Sequence, residues 1–202
     1  MRFEIKGIRF KLSWTFFAAL TLMLVYSGDS GVLVAVICAM LHETGHIVCL
    51  YALSGCAASI ELGVFGMRLV RREETKLSYA GEVLCALGGP VVNILLSVLF
   101  SVLYVSGMQS FARAAKINLA LGLFNLMPVG ELDGGRALTA FLCTRFSPVT
   151  AERIMLFVSV AVLLPVSFAG FYVLIDSGYN FTLLIAAVYI ALNLVLRIKQ
   201  PP

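Results

Sequence analysis

The chain has 202 residues, of which 60% are hydrophobic and only 13% are charged. A soluble globular domain is about half apolar and about one quarter charged, so this composition excludes an ordinary water-facing surface and predicts a membrane protein. The formal net charge of +4 does not indicate nucleic-acid binding, because the basic residues lie in short segments between apolar stretches.

Six apolar stretches are predicted to be transmembrane helices. A bilayer core of about 30 Å needs about 20 apolar residues in helical form. The predicted spans run from about Leu12 to Tyr26, Gly31 to Leu53, Glu82 to Val105, Arg113 to Met127, Pro148 to Ile175 and Phe181 to Leu196. With both termini inside, all lysines and arginines except Arg113 and Lys116 fall on the cytoplasmic side. We therefore expect a multi-pass protein of the cell membrane with both termini cytoplasmic.

Two segments do not fit a simple helix. Between the second and third spans, Ala57 to Ser78 alternates in part, and Gly66 is suited to a turn, so we expect a β-hairpin at the cytoplasmic interface. From Asn125 to Arg136, proline and glycines interrupt an apolar stretch. Non-helical backbone at membrane depth needs shielding by protein or a water-filled cavity, so this segment is a candidate site. The predicted fold class is an α-helical polytopic membrane protein with about six spans and a small membrane-associated hairpin.

The second span contains an HExxH motif, His42-Glu43-Thr44-Gly45-His46, and the chain has no other histidine. On a helix, residues i and i+4 share a face, so both imidazoles reach one metal ion. Zinc lowers the pKa of a bound water to about 7, and Glu43 is placed to take its proton. The motif predicts metal-assisted amide hydrolysis, and the alternative, a pair of packed histidines, is disfavoured because ionisable groups inside a membrane are costly.

A catalytic zinc usually has three protein ligands and a water. Of the three aspartates, Asp29 and Asp176 lie in loops assigned to the far side, whereas Asp133 lies in the broken segment. Asp133 is therefore the candidate third ligand, and the alternative is an Asp-Gly turn at a span boundary. Cys38, four residues before His42, is interpreted as a packed small residue rather than a sulfur ligand.

These motifs resemble those of the site-2 proteases, a family of intramembrane zinc metalloproteases. The resemblance covers about residues 31–140 and includes the HExxH motif, Gly88-Gly89-Pro90 with Asn93, Asn125-Leu126-Met127-Pro128, and Leu132-Asp133-Gly134-Gly135. The small size and six spans look most like the sporulation-protease branch. The resemblance implies one domain over residues 1–202, with its catalytic core in about 31–140 and additional spans in about 148–196.

The resemblance also implies roles for single residues. Asp133 matches the third zinc ligand and Glu43 the catalytic base. Asn125 matches an asparagine that holds substrate or its oxyanion, although a helix C-cap is an equal alternative. The hairpin resembles a membrane-embedded sheet that pairs with unwound substrate.

Two features depart from the sporulation branch. Glu131 stands where that branch often has a proline two residues before the ligand aspartate, which puts the substrate preference in doubt. That branch also commonly has a nucleotide-sensing domain after the last span, and this sequence has none. We therefore expect regulation to be absent or to come from a membrane partner.

The sequence therefore predicts a zinc-dependent intramembrane endopeptidase acting on membrane-embedded proteins or peptides. The alternatives are a catalytically silent metal-binding membrane protein, which would not need Glu43, and a metal transporter. A transporter would favour polar residues along several spans, whereas here they converge on one point.

Overall fold

The computed structural model describes residues 2–5, 8–12, 30–55, 59–63, 66–70, 77–130, 132–179 and 181–198. Within these ranges the chain forms four strands and six helices. The strands are β1 (Arg2–Ile5), β2 (Ile8–Leu12), β3 (Ser59–Gly63) and β4 (Gly66–Val70), and the helices are α1 (Ser30–Ser54), α2 (Tyr79–Val105), α3 (Phe111–Asn125), α4 (Asp133–Cys143), α5 (Pro148–Ser177) and α6 (Thr182–Ile198). The chain divides into two compact units, Met1–Phe124 and Asn125–Pro202.

The four strands form one sheet in the order β1-β2-β3-β4. The pairs β1–β2 and β3–β4 are antiparallel, and Gly63 pairs with Gly66. The pair β2–β3 is parallel, with Phe10 opposite Ile60. A parallel pair needs a crossover connection, usually a helix, and α1 lies in this one. Strand β4 is an edge of the sheet and contacts α1.

Three of the described helices are long and apolar enough to cross a membrane, namely Gly31–Ser54, Tyr79–Val105 and Pro148–Ser177. Large apolar side chains on them remain exposed, such as Phe157 at 76% and Phe168 at 73% on α5. A soluble monomer rarely exposes contiguous apolar surface of this kind, so hydrocarbon is the solvent these faces suit.

The predicted spans and the described helices differ at α4. The first predicted span, Leu12 to Tyr26, lies outside the described residues except for Leu12, which belongs to β2. Helix α4 matches no predicted span. It has only 11 residues and begins with Asp133-Gly134-Gly135, so neither its length nor its composition reaches the pattern of a membrane helix. The structure also gives β1 and β2, for which the sequence analysis predicted no strands.

Helices α1 and α2 approach each other closely where Gly45 faces Gly88. A Cβ placed on Gly45 would collide with the carbonyl oxygen of Gly88, and one on Gly88 would lie 2.8 Å from the carbonyl oxygen of Gly45. Real Cβ contacts are longer than this, and the obstacle on each side is backbone, which cannot rotate away. Small residues let membrane helices pack backbone to backbone, so this crossing fixes the spacing of the two helices.

We expect Gly45→Val to destabilise the protein by about 1–3 kcal/mol or more, because the added side chain must push α1 away from α2. Thermal unfolding in detergent measures the effect. Ala39→Val is the matched control, since Ala39 is exposed on the same helix. Equal melting temperatures for the two variants would contradict a tight crossing at Gly45.

Candidate metal centre

The two histidines lie one helical turn apart on α1, and each is only 5% exposed. Their Nε2 atoms are 3.1 Å apart. The rings meet edge to face, with 4.8 Å between centroids. The predicted pairing of His42 and His46 on one helix face is therefore present in the structure.

The other ring nitrogens are held by α2. Nδ1 of His46 lies 2.8 Å from the backbone carbonyl oxygen of Cys85, which only accepts hydrogen bonds, so His46 donates from Nδ1. The Gly89 N–H also lies 3.3 Å from this nitrogen. A protonated Nδ1 has no lone pair to accept that hydrogen bond, so the two contacts require different tautomers. The shorter contact, to the carbonyl oxygen, indicates that Nδ1 is the protonated nitrogen. Nδ1 of His42 lies 2.8 Å from Oδ1 of Asn93. A carbonyl or side-chain oxygen behind a ring is the usual support of a metal-binding histidine.

The facing Nε2 atoms therefore present two lone pairs to each other. At 3.1 Å that arrangement is repulsive unless a cation lies between them. Tetrahedral zinc with Zn–N bonds of about 2.0–2.1 Å holds two ligand nitrogens about 3.3 Å apart. The spacing and the tautomers of the pair fit a shared metal ion.

Gly89 on α2 keeps the space in front of these nitrogens open. A Cβ built on Gly89 would be in contact with Nε2 of His42 and Nε2 of His46. Any side chain at this position would fill the place where a metal ion has to sit. The backbone of α2 thus lines one side of the metal cradle, the space in front of the two Nε2 atoms, and only glycine at position 89 leaves that space empty.

Asp133 is the first residue of α4, where its carboxylate suits the positive end of the helix dipole. It is 7% exposed, and its Oδ1 lies 3.5 Å from a guanidinium nitrogen of Arg136. The next two residues are glycines, and a Cβ on Gly134 would collide with the backbone of Leu126. The start of α4 therefore packs directly on the irregular segment that precedes it.

That irregular segment follows α3, which ends at Asn125. The Gly130 N–H donates to Oγ of Ser159 on α5 over 3.0 Å, and Val129 is fully buried. The predicted break in the helix is thus present, and its backbone is held by turn bonds such as Leu132 N–H to the carbonyl oxygen of Val129, and by the bond from Gly130 to Ser159, rather than by a helical ladder. Glu131 lies outside the described residues.

The remaining predicted site residues, Glu43 and Asn125, lie on helices α1 and α3. Glu43 follows His42 on α1 and is half-buried, and Asn125 is half-buried at the end of α3. His42, His46 and Asp133 each offer one atom that could ligate a metal ion. Cys38 does not belong to this group; it is 2% exposed and its Sγ accepts a hydrogen bond from Asn118.

The chain is similar to several known zinc metalloproteases. The model of peptidase family M50 matches residues 105–166. The chain is 32% identical over 127 residues to a Mycobacterium tuberculosis protein named "Putative zinc metalloprotease Rip3", which covers 58% of this chain and 32% of that protein. It is 26% identical over 169 residues to zinc metalloprotease MJ0392 of Methanocaldococcus jannaschii, which covers 75% of this chain and 48% of that protein.

The solved structure of a site-2 protease from Methanocaldococcus jannaschii has the same fold. It superposes with a TM-score of 0.67 over 100% of this chain and 96% of that chain, at 20% sequence identity. These comparisons agree with the resemblance to site-2 proteases that the motifs predicted. The chain spans about one third of the length of the Mycobacterium tuberculosis protein and about half of MJ0392.

One residue that supports the candidate metal centre has no counterpart among the predicted site residues. Asn118 of α3 is fully buried and is hydrogen-bonded to Asn93, yet it was not singled out. An amide inside an apolar helix signals a buried polar contact, because such a group needs a partner in lipid. The carbonyl of Cys85 could not be found from residue type, since any residue at that position supplies it.

We expect Gly89→Ala to abolish metal binding while leaving a folded protein, because the new methyl group occupies the space between the two Nε2 atoms. Metal analysis of the purified protein, together with its melting temperature, measures this. Gly81→Ala on the same helix is the control, since a Cβ there meets only ordinary contacts of 3.4 Å and more. Undiminished zinc content in Gly89→Ala would contradict the cradle.

Proposed function

We propose that the protein is a zinc-dependent endopeptidase that hydrolyses peptide bonds in or near the transmembrane segments of other membrane proteins. The observation behind this proposal is the buried pair of Nε2 atoms, 3.1 Å apart, on a helix that is long and apolar enough to span a bilayer. Ionisable groups at such a depth are costly and mark functional sites. Relatives named as zinc metalloproteases support the same activity.

His42, His46 and Asp133 are the proposed zinc ligands. Two imidazoles and one carboxylate are a usual donor set for catalytic zinc, and they leave one position open. The negative charge of Asp133 offsets part of the charge of the ion, which two neutral imidazoles cannot do. When bound, zinc polarises the scissile carbonyl and makes water a stronger nucleophile at neutral pH.

Glu43 is the proposed general base. It adjoins His42 on α1, and in the HExxH pattern the glutamate lies beside the metal without ligating it. Its carboxylate accepts a proton from the attacking water and then delivers it to the leaving amine. A protein that only binds or transports a metal would not need this residue.

The sheet is the proposed docking site for substrate. A helical peptide bond is shielded by its own backbone, so a substrate segment has to unwind before cleavage. Strand β4 is a sheet edge and contacts α1, the helix with the HExxH motif. An extended segment added to this edge would satisfy its backbone groups next to the motif. We assign Asn125 to holding the substrate or the oxyanion.

The proposed topology has six spans and cytoplasmic termini, with the sheet at the cytoplasmic interface. Three described helices meet the length and composition of a span, and Leu183–Leu192 of α6 is a shorter apolar stretch. The distribution of lysine and arginine supports the orientation. The bilayer and a membrane-embedded protein or peptide are the proposed partners, with regulation by a separate membrane protein.

We expect Glu43→Gln to reduce the rate of cleavage by a factor of about 10² to 10⁴, because the variant lacks the general base. Its zinc content should stay near one per chain, because all three proposed ligands remain. Asp133→Asn should lose both, since it removes the charge that offsets zinc. Mass spectrometry of membrane-protein fragments from cells expressing each variant measures cleavage, and metal analysis of the purified proteins measures zinc.

Melting temperatures of the same preparations serve as the control for folding. Identical fragment profiles for the wild type and Glu43→Gln, both folded and zinc-loaded, would contradict a protease and favour a silent metal-binding protein or a metal transporter. Full zinc occupancy in Asp133→Asn would contradict the third ligand.

Reporter fusions at Gln109, between α2 and α3, and at Pro202 should report opposite compartments, with Pro202 in the cytoplasm. The reason is that three predicted spans separate the two positions. Alkaline phosphatase and a fluorescent protein as paired reporters give reciprocal signals and thus check each other. The same compartment for both positions would contradict the six-span topology.

A further inference from the structure

The hydrogen bonds that hold the His42 ring continue beyond Asn93. Behind Asn93 lies Asn118 of α3, whose Oδ1 accepts a hydrogen bond from Nδ2 of Asn93 over 3.2 Å. Asn118 in turn donates from Nδ2 to the carbonyl oxygen of Ala114 over 2.9 Å and to Sγ of Cys38 over 3.0 Å. A chain of buried hydrogen bonds therefore joins the proposed metal ligand to the backbone of α3.

The donor and acceptor roles along this series of hydrogen bonds are set by its last member, the carbonyl oxygen of Ala114. The carbonyl oxygen of Ala114 can only accept, so the atom of Asn118 that faces it must be the amide nitrogen. The second hydrogen of the same nitrogen points to the sulfur of Cys38. Both donors of Asn118 are then in use, and its Oδ1 is left to face Asn93.

The same direction passes through Asn93 to the histidine. Because Asn118 presents an acceptor, Asn93 must turn its own amide nitrogen toward it. The Oδ1 of Asn93 is then the atom 2.8 Å from Nδ1 of His42, so the imidazole donates from Nδ1. A neutral imidazole with its proton on Nδ1 has a bare lone pair on Nε2, which is the form that binds a metal.

Because both asparagines are buried, exchanging the donor and acceptor atoms of their amides would be costly. Asn93 and Asn118 are both 0% exposed. A flipped Asn118 would set its oxygen against the carbonyl of Ala114 and its nitrogen against the nitrogen of Asn93, with no water to compensate.

We propose that Asn118 is a positioning residue that acts through Asn93 to hold His42 in the Nδ1-protonated tautomer, and thereby strengthens metal binding. The proposal rests on the proposed role of His42 as a zinc ligand. Outer partners of ligating histidines typically contribute about 10- to 100-fold to metal affinity, and here the contribution extends one residue further out.

His46 provides an internal reference in the same molecule. Its Nδ1 donates to a backbone carbonyl, that of Cys85, which no amide orientation can change. The tautomer of His46 should therefore be independent of Asn118. Since the chain has only two histidines, selective ¹⁵N labelling of histidine reports both rings without overlap from others.

A purely structural role is the competing explanation, because Asn118 also joins α3 to its neighbours. Ser97 on α2 makes a comparable buried contact, as its Oγ donates to the carbonyl oxygen of Ala115 on α3 over 2.9 Å. Ser97→Ala removes that bond between the same two helices and leaves the amide chain intact. It is therefore the matched control for Asn118→Leu.

The first measurement is ¹⁵N NMR of metal-free protein in detergent. We expect both wild-type histidines to be protonated on Nδ1, and only His42 to become a mixture of tautomers in Asn118→Leu. Ser97→Ala should look like the wild type. A wild-type His42 protonated on Nε2 would overturn the proposal without any variant, and so would an Asn118→Leu variant whose His42 keeps one tautomer.

The second measurement is zinc affinity by competition with a chromophoric chelator. Asn118→Leu should bind zinc about tenfold more weakly and Asn93→Ala about 10- to 100-fold more weakly, with Ser97→Ala within about twofold of wild type. In the Asn93→Ala background, Asn118→Leu should cause no further loss, because its effect passes through Asn93. Additive losses, or an equal loss in Ser97→Ala, would show a structural effect and overturn the proposal.

Neither measurement uses peptide cleavage. A wild type that binds zinc but cleaves nothing would refute the proposed function and leave these results interpretable. Conversely, a failed tautomer or affinity test would leave any observed cleavage, and its dependence on Glu43, untouched.

Discussion

The close approach of α1 and α2 is the contact on which the metal centre depends. Gly45 and Gly88 let the two backbones touch, and at that spacing the carbonyl of Cys85 and the amide of Asn93 reach the imidazoles over 2.8 Å each. A wider crossing would leave both Nδ1 atoms without acceptors inside an apolar environment, where an unsatisfied donor is costly. The same packing that joins the helices thus determines which ring nitrogen of each histidine carries the proton.

Gly89 adds a second requirement to this crossing. The helices have to be close enough for α2 to support the rings, yet the part of α2 that faces the two Nε2 atoms must have no side chain. Consecutive glycines in a transmembrane helix are unfavourable for helix stability by about 1 kcal/mol each relative to alanine. Their presence in the middle of α2 is explained by the two separate contacts that Gly88 and Gly89 make.

The sequence predicts well those features that depend on residues close together in the chain. The pairing of His42 with His46 follows from a spacing of one helical turn, and the long spans follow from stretches of apolar residues. Helix α4 was missed because it is short and has two glycines in its first turn, and it packs on the segment before it and on α5. Strand β2 was missed because its parallel partner, β3, lies about 50 residues away, and β1, whose partner is β2, was missed with it. The link between Asn118 and Cys38 spans 80 residues, so only the folded chain brings them together.

The crossover between β2 and β3 has a consequence for the order of assembly. The hairpins β1–β2 and β3–β4 connect neighbours in sequence, and such contacts form early because the loops to be closed are short. The parallel pair, in which Arg9 lies opposite Ser59, closes only after everything between them has been synthesised, including α1. During biogenesis the complete four-stranded sheet therefore forms only after the helix with both histidines has been synthesised. A nascent chain that ends within α1 has the β1–β2 half of the sheet but not the β3–β4 half.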